Sequence, residues 1–183
     1  MKALFIATEK CDPDDGSGWT KYCEWAKIPQ LKEVVSLDGI LCPHLVRDFI
    51  DEDWQHNVQE NYRLNYFYDL NYLLGRISGV KRRNVLGLYR NPETHISEPP
   101  GAGDFKFAGY DLIDEETQIS ALTNCGGFPL AFSNDELSCY GLISDYTHAC
   151  RIRERLINQY PNDPHADCEL YAIWRLKETE LSC

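Results

Sequence analysis

The sequence lacks several features that would announce a chemistry. No Cys-x-x-Cys pair occurs among its eight cysteines, so a zinc ribbon, which needs two tight ligand pairs, is excluded. No glycine-rich phosphate loop follows the first apolar segment, which excludes the Rossmann and P-loop nucleotide sites. No apolar stretch approaches the roughly 20 residues of a membrane span. There is no internal repeat and no low-complexity segment. Basic residues are scarce: 18 Lys and Arg stand against 29 Asp and Glu, for a net charge of -11. A field of that sign repels nucleic acid and anionic membranes and attracts basic partners. The expected partner is therefore a basic protein, with no nucleic acid and no membrane.

What is present reads as an ordinary globular chain. With 183 residues, 43% of them hydrophobic and 26% charged, the chain can bury a core of its own and disorder is excluded as a global description. One domain is expected over 1–183, with residues 91–103, rich in proline and glycine, as the place where an internal joint would fall. The polar tail 177–183 is expected to fray. The opening segment Met1 to Thr8 has an apolar run too short for a secretion signal and no cleavage site. The cysteines then read as reduced thiols in a cytoplasm, mostly small core residues.

Periodicity supplies the elements. Residues 3–8 are apolar on both sides, the pattern of a central strand. Trp19, Tyr22, Cys23 and Ala26 recur at helical spacing before Pro29. Leu31 to Leu41 reads as one strand, or as two joined at Asp38-Gly39. The longest helical pattern runs from about Asp51 to Ile77, with Tyr62, Tyr66, Leu70, Leu73 and Leu74 as its stripe and Gly79 as its stop. Lys81, Arg82 and Arg83 just beyond it suit a helix C-terminus. Strands follow at 84–90 and 105–113, and Asp114 to Thr117 turns the chain back over 118–124. Strict alternation along 105–113 places Phe105, Phe107, Gly109, Asp111 and Ile113 on one face. Ser144 opens a last helix with Ala149, Ile152, Leu156, Ile157 and Tyr160 inward, and 168–176 is the last strand. About six strands with a hairpin, and about three helices packed on them, predict an α+β fold with a mostly antiparallel sheet.

The acidic residues cluster. Glu9, Asp12, Asp14 and Asp15 form one group, Asp48, Asp51, Glu52 and Asp53 a second, and Asp111, Asp114, Glu115 and Glu116 a third. A negative surface made of these would steer a cationic partner. The residues expected to bind it are Asp12, Asp14, Asp15, Asp111, Asp114, Glu115 and Glu116.

Four constellations could carry chemistry. Ser120 to Pro129 (SALTNCGGFP) runs a buried-looking strand into a lone cysteine and two glycines, and His165-Ala-Asp-Cys168 follows about forty residues later. Cys125 as nucleophile, His165 as base and Asp167 as its orienter would make a cysteine-dependent hydrolase or transferase, the alternative to a binding role. Cys125 also reads as a structural residue on a glycine turn. His148, Cys150, His165, Asp167 and Cys168 include metal-ligand types, but their spacing is not that of a structural zinc site, so no metal and no cofactor is expected. Asp111 and Asp114 are a carboxylate pair of the kind glycosidases use, and equally a solvated turn. Trp19, Trp25, Tyr62, Tyr66 and Tyr68 could stack a ligand, and at helical spacing they also read as core.

The block Phe107 to Ile113 followed by Ser120 to Phe128 resembles strand–turn–strand segments of the small, acidic immunity proteins of bacterial polymorphic-toxin and contact-dependent-inhibition systems. Size, net charge and the absence of a targeting segment add to the resemblance, which spans at most residues 103–176. It implies a non-enzymatic protein that neutralises a toxin by covering its active site or an adjacent surface. It assigns no residue by motif.

Overall fold

The computed structural model describes residues 2–45, 51–61, 64–101, 103–123 and 127–177. Asp48, Tyr62, Asn124, Cys125, Gly126 and the tail beyond Lys177 lie outside the described residues. The elements are β1 (Leu4–Glu9), α1 (Ser17–Ala26), α2 (Glu52–Asn57), β2 (Gln59–Asn61), β3 (Leu64–Tyr66), α3 (Leu70–Arg76), β4 (Arg83–Arg90), β5 (Phe105–Asp114), β6 (Ile119–Ser120), α4 (Tyr146–Gln159) and β7 (Glu169–Leu176). Five strands form one antiparallel sheet in the order β1-β4-β7-β5-β6, and β2 and β3 pair separately. The fold is α+β, as the pattern of strands and helices predicts.

One irregularity decides which side chains share a face. The β5–β7 register shifts between Phe107 and Gly109, so Ala108 is an extra residue opposite β7. Gly109 takes φ +147, and a Cβ there would lie 2.6 Å from Leu142 Cβ. Only glycine fits this bulge. Strict alternation along β5 therefore fails: Phe107 opposes Trp174, while Tyr110 and Leu112, two steps past the bulge, oppose Ala172 and Leu170 on the same face. Asp111 moves to the other face, opposite Tyr171.

Each face has its own cover. On one, Tyr110, Leu112, Leu170 and Ala172 pack with α1 through Trp19, Tyr22 and Ala26, and with α4 through Ala149, Ile152 and Leu156. The same side carries Phe5, Val85 and Trp174 against Trp54 of α2 and Leu73 and Ile77. On the other, Ile6, Leu86, Leu88, Tyr171 and Ile173 are covered by Val35, Leu37, Leu64 and Tyr66.

Several expected elements differ. Strand β1 is at the edge of the sheet, not its centre. It looks central because irregular chain shields its free side, with Phe67, His44 and Val34 bridging Phe5, Thr8 and Cys11. Residues 31–41 form no strand pair. Asp38 instead folds them into a turn by accepting the Ile40 and Leu41 amides. The long helix expected over 51–77 is broken into α2, a short hairpin and α3. Asp51 accepts the Trp54 amide, and Asp69 accepts those of Asn71 and Tyr72, so two helix starts are written where one was read. Asp145, not Ser144, caps α4 through the His148 amide at 2.7 Å. Among the described residues, Arg82 makes no ion pair at a helix C-terminus of the expected kind. It reaches Asp12 at 2.8 Å and Asp14 at 3.2 Å.

The proline- and glycine-rich segment 91–101 lies on the sheet. Pro100 packs where a Cβ on Gly87 would stand, 2.2 Å from its ring. Tyr146 donates to the Pro92 carbonyl, and His95 meets the Tyr110 hydroxyl at 2.8 Å.

Candidate functional site

The β5–β6 hairpin carries four acids, and the fold turns three of them inward. Asp111 is wholly buried. It accepts the Ser36 hydroxyl at 2.6 Å, the Ser120 hydroxyl at 2.5 Å and the Leu37 and Leu112 amides. Burial pushes its carboxyl above the ordinary carboxylate value, and those four donors pull back only part of the way. Asp38, also buried, accepts the Ser120 amide and the Thr123 hydroxyl. Asp111 and Asp38 thus pin the irregular segment 36–41 to the hairpin.

Asp114 is buried at the tip. It accepts the Thr117 hydroxyl at 2.6 Å, the Glu116 and Thr117 amides, and His165 Nδ1 at 3.0 Å. Burial raises its carboxyl, but the Thr117 and His165 hydrogen bonds and the two amides outweigh it and leave the group below the ordinary value. Glu115 faces Arg90 at 2.8 Å through both oxygens and accepts the Tyr171 hydroxyl, which in turn meets Tyr66 at 2.6 Å. Burial pushes both tyrosines up, and the neighbouring carboxylate adds to the effect. Arg90 also approaches Glu169, which Arg153 reaches from α4 at 3.3 Å.

These placements correct the expected binding surface. Asp111, Asp114 and Glu115 are internal ligands of the fold, and of that cluster Glu116 alone faces solvent. The carboxylate pair does not form a solvated acid–base site, because each acid is consumed by donors from a different segment.

The first cluster behaves oppositely. Asp12 accepts the Asp14 amide at 3.0 Å and so caps a short 3-10 turn, Pro13–Asp15, that leads through Gly16 into α1. Asp14 and Asp15 are exposed, and Asp12 is half-buried against Arg82. At the far end of α1, about 12 Å along its axis at 1.5 Å per residue, Trp25 is 59% exposed. Its one ring neighbour among the described residues is Tyr22, edge-on at 6.2 Å. An exposed tryptophan on a helix that follows an acidic turn is a feature that the helical spacing of the aromatics concealed. Trp19 and Tyr66 are core residues, whereas Tyr68 is 42% exposed.

The members of the expected catalytic set fall as follows. Cys125 lies outside the described residues. His165 is half-buried in the 3-10 turn Pro164–Ala166. Its partner is Asp114. Asp167 is exposed and makes no hydrogen bond to the ring among the described residues. Thr117, 3.3 Å from His165 Nδ1, joins the same group. Only the acidic turn Asp114 to Thr117 could have signalled this pairing, and its composition reads equally well as solvent-facing.

Among the described residues no three His, Cys, Asp or Glu side chains converge on a common point. His148 pairs with Glu136 at 2.7 Å, and the Cys168 thiol donates to the His165 carbonyl. Burial raises the thiols of Cys42 and Cys168, and pushes Cys11 up to about 12. These thiols are poor nucleophiles and serve as small apolar residues. Six described cysteines are free. No described helix is long and apolar enough to cross a membrane.

Comparison with models of known families, with curated proteins and with solved structures finds no match for this chain.

Proposed function

We propose that the protein is a non-enzymatic binding protein of the immunity or inhibitor type, acting in the cytoplasm, that neutralises a basic protein partner. The observation that carries this reading is the acidic shoulder at the start of α1: Asp14 and Asp15 exposed, Asp12 beside them, and Trp25 uncovered on the same helix. Acids on the rim speed and steer encounter, and a tryptophan supplies an apolar anchor of the kind that dominates interfaces. Arg90, Arg153 and Arg175 are held in partly buried ion pairs away from this shoulder. Arg82 offsets part of the charge of Asp12 and Asp14 and leaves Asp15 as the shoulder's unpaired acid among the described residues.

The test is recovery of a basic partner on immobilised protein from the native host, followed by kinetics with the purified partner. Asp14→Lys combined with Asp15→Lys should slow association roughly tenfold at low salt, and less at high salt. Trp25→Ala should speed dissociation roughly tenfold or more. Unchanged rates in both variants would overturn the assignment of this surface.

The hydrogen bond from His165 to Asp114 favours a second reading, a cysteine-dependent hydrolase or transferase in which Cys125 is the nucleophile and Asp114 takes the orienting role expected of Asp167. It requires Cys125 to react with iodoacetamide at neutral pH far faster than the other seven cysteines. Uniform labelling removes it.

A further inference from the structure

The sheet carries a cationic groove on a chain of net charge -11. Lys106, Phe107, Ala108, Tyr140, Arg175, Leu176 and Lys177 line a cavity of about 360 Å³ where β5 begins and β7 ends. That is at the small end of the range for ligand pockets, roughly 300–1,000 Å³.

Register makes the charge a built feature. Lys106 and Arg175 are directly opposite in the β5–β7 ladder and so share one face of the sheet at the mouth of the groove, with Glu33 offsetting the charge of Arg175 alone. Arg175 is anchored from below. Its Nη1 donates to the buried Glu33 at 2.7 Å, and Glu33 is itself held by Asn84 at 2.8 Å. Its guanidinium carbon stands 6.0 Å over the Tyr140 ring. Arg175 Nε and Nη2 make no hydrogen bond among the described residues, and Lys106 has no ion-pair partner among them. Lys177 closes the rim, paired with Asp104 at 2.9 Å where both are exposed. An oriented guanidinium with free donors, an unpartnered ammonium across from it and an aromatic face are the parts that recognise a flat organic anion.

We propose that this groove binds a small organic anion, a phosphate or carboxylate carried on a flat apolar group, with the anion on Arg175 and Lys106 and the flat group against Tyr140. The site uses none of the residues of the acidic shoulder, so it stands whether or not that surface takes a basic protein.

Titration calorimetry at low salt with phenyl phosphate, benzoate, inorganic phosphate and phenol tests it. Phenyl phosphate or benzoate should bind saturably at about 1 mM or below, and the tighter of the two identifies the anion. Inorganic phosphate and phenol should each bind roughly tenfold more weakly. Lys106→Glu, at an exposed and unpartnered position opposite Arg175, should leave the melting temperature no lower than that of the wild type and weaken binding at least tenfold, and Lys177→Glu should weaken it less. Tyr140→Leu should bring phenyl phosphate down to the level of inorganic phosphate. Absence of binding by both phenyl anions, or equal binding to the wild type and the Lys106→Glu variant, overturns the proposal. Inorganic phosphate as tight as phenyl phosphate in the wild type overturns the role of Tyr140.

Discussion

The Asp12–Asp15 turn and the Asp111–Glu116 hairpin tip are both dense in acids and have opposite fates. In the first, the acids cap a short turn and two of the three remain in water. In the second, Asp111, Asp114 and Glu115 are buried and each is met by a donor from a distant segment: Ser36 (beside Ser120 of the same hairpin), His165, and Arg90 with Tyr171. An acidic cluster is thus not a surface by composition. It becomes interior wherever the fold delivers enough donors to replace water, because an unpaired buried carboxylate would cost several kcal/mol.

The sharpest way to break this comparison is to remove the innermost acid. Asp111→Leu leaves the Ser36 and Ser120 hydroxyls and the Leu37 amide without their acceptor, and should cost roughly 3 kcal/mol or more in urea unfolding. A loss below about 1 kcal/mol would mean that the network is not what holds segment 36–41 to the sheet.

A smaller effect separates the two buried acids by pH. The Asp114 carboxyl is lowered in the fold, so its stabilisation is present above the ordinary value of 3.8 and is lost as pH falls through the folded value. The Asp111 carboxyl is raised, so it acts with the opposite sign: its contribution is fully present at low pH and declines as pH rises from 3.8 through the folded value. Asp114→Asn should therefore flatten the acid limb of the stability curve and cost about 1 kcal/mol at neutral pH. An acid limb identical to that of the wild type would remove the role given to His165 and Thr117 here.

The smallest effect belongs to the exposed cluster. Asp14→Lys with Asp15→Lys should cost no more than about 1 kcal/mol, since neither side chain is buried and the ion pair lost, Asp14 with Arg82, is exposed. A larger loss would show that this turn, like the hairpin tip, is part of the folding core.

How much was legible can be judged residue by residue. Strands β4, β5 and β7 and helix α4 are written in apolar spacing, and the structure places them within a residue or two of where that spacing puts them. The helix expected over 51–77 failed because Tyr66, Leu70 and Leu73 sit at helical spacing by coincidence across two elements. The capping acids Asp51 and Asp69 were the overlooked signal. His165 was legible as a candidate. Its partner Asp114 was not, since their contact spans 51 residues and carries no sequence spacing. The groove at Lys106 and Arg175 was equally hidden, because cross-strand opposition depends on register.

By itself the sequence determined the net charge of -11, the α+β alternation of periods and the turn chemistry, all of which depend on residues near one another in the chain. Tertiary structure alone decided which acids meet water. A single extra residue at Ala108, allowed by Gly109, turns Asp111 from one face of the sheet to the other. Burial of a charge depends on donors that arrive from elsewhere in the fold, and no local pattern encodes their arrival.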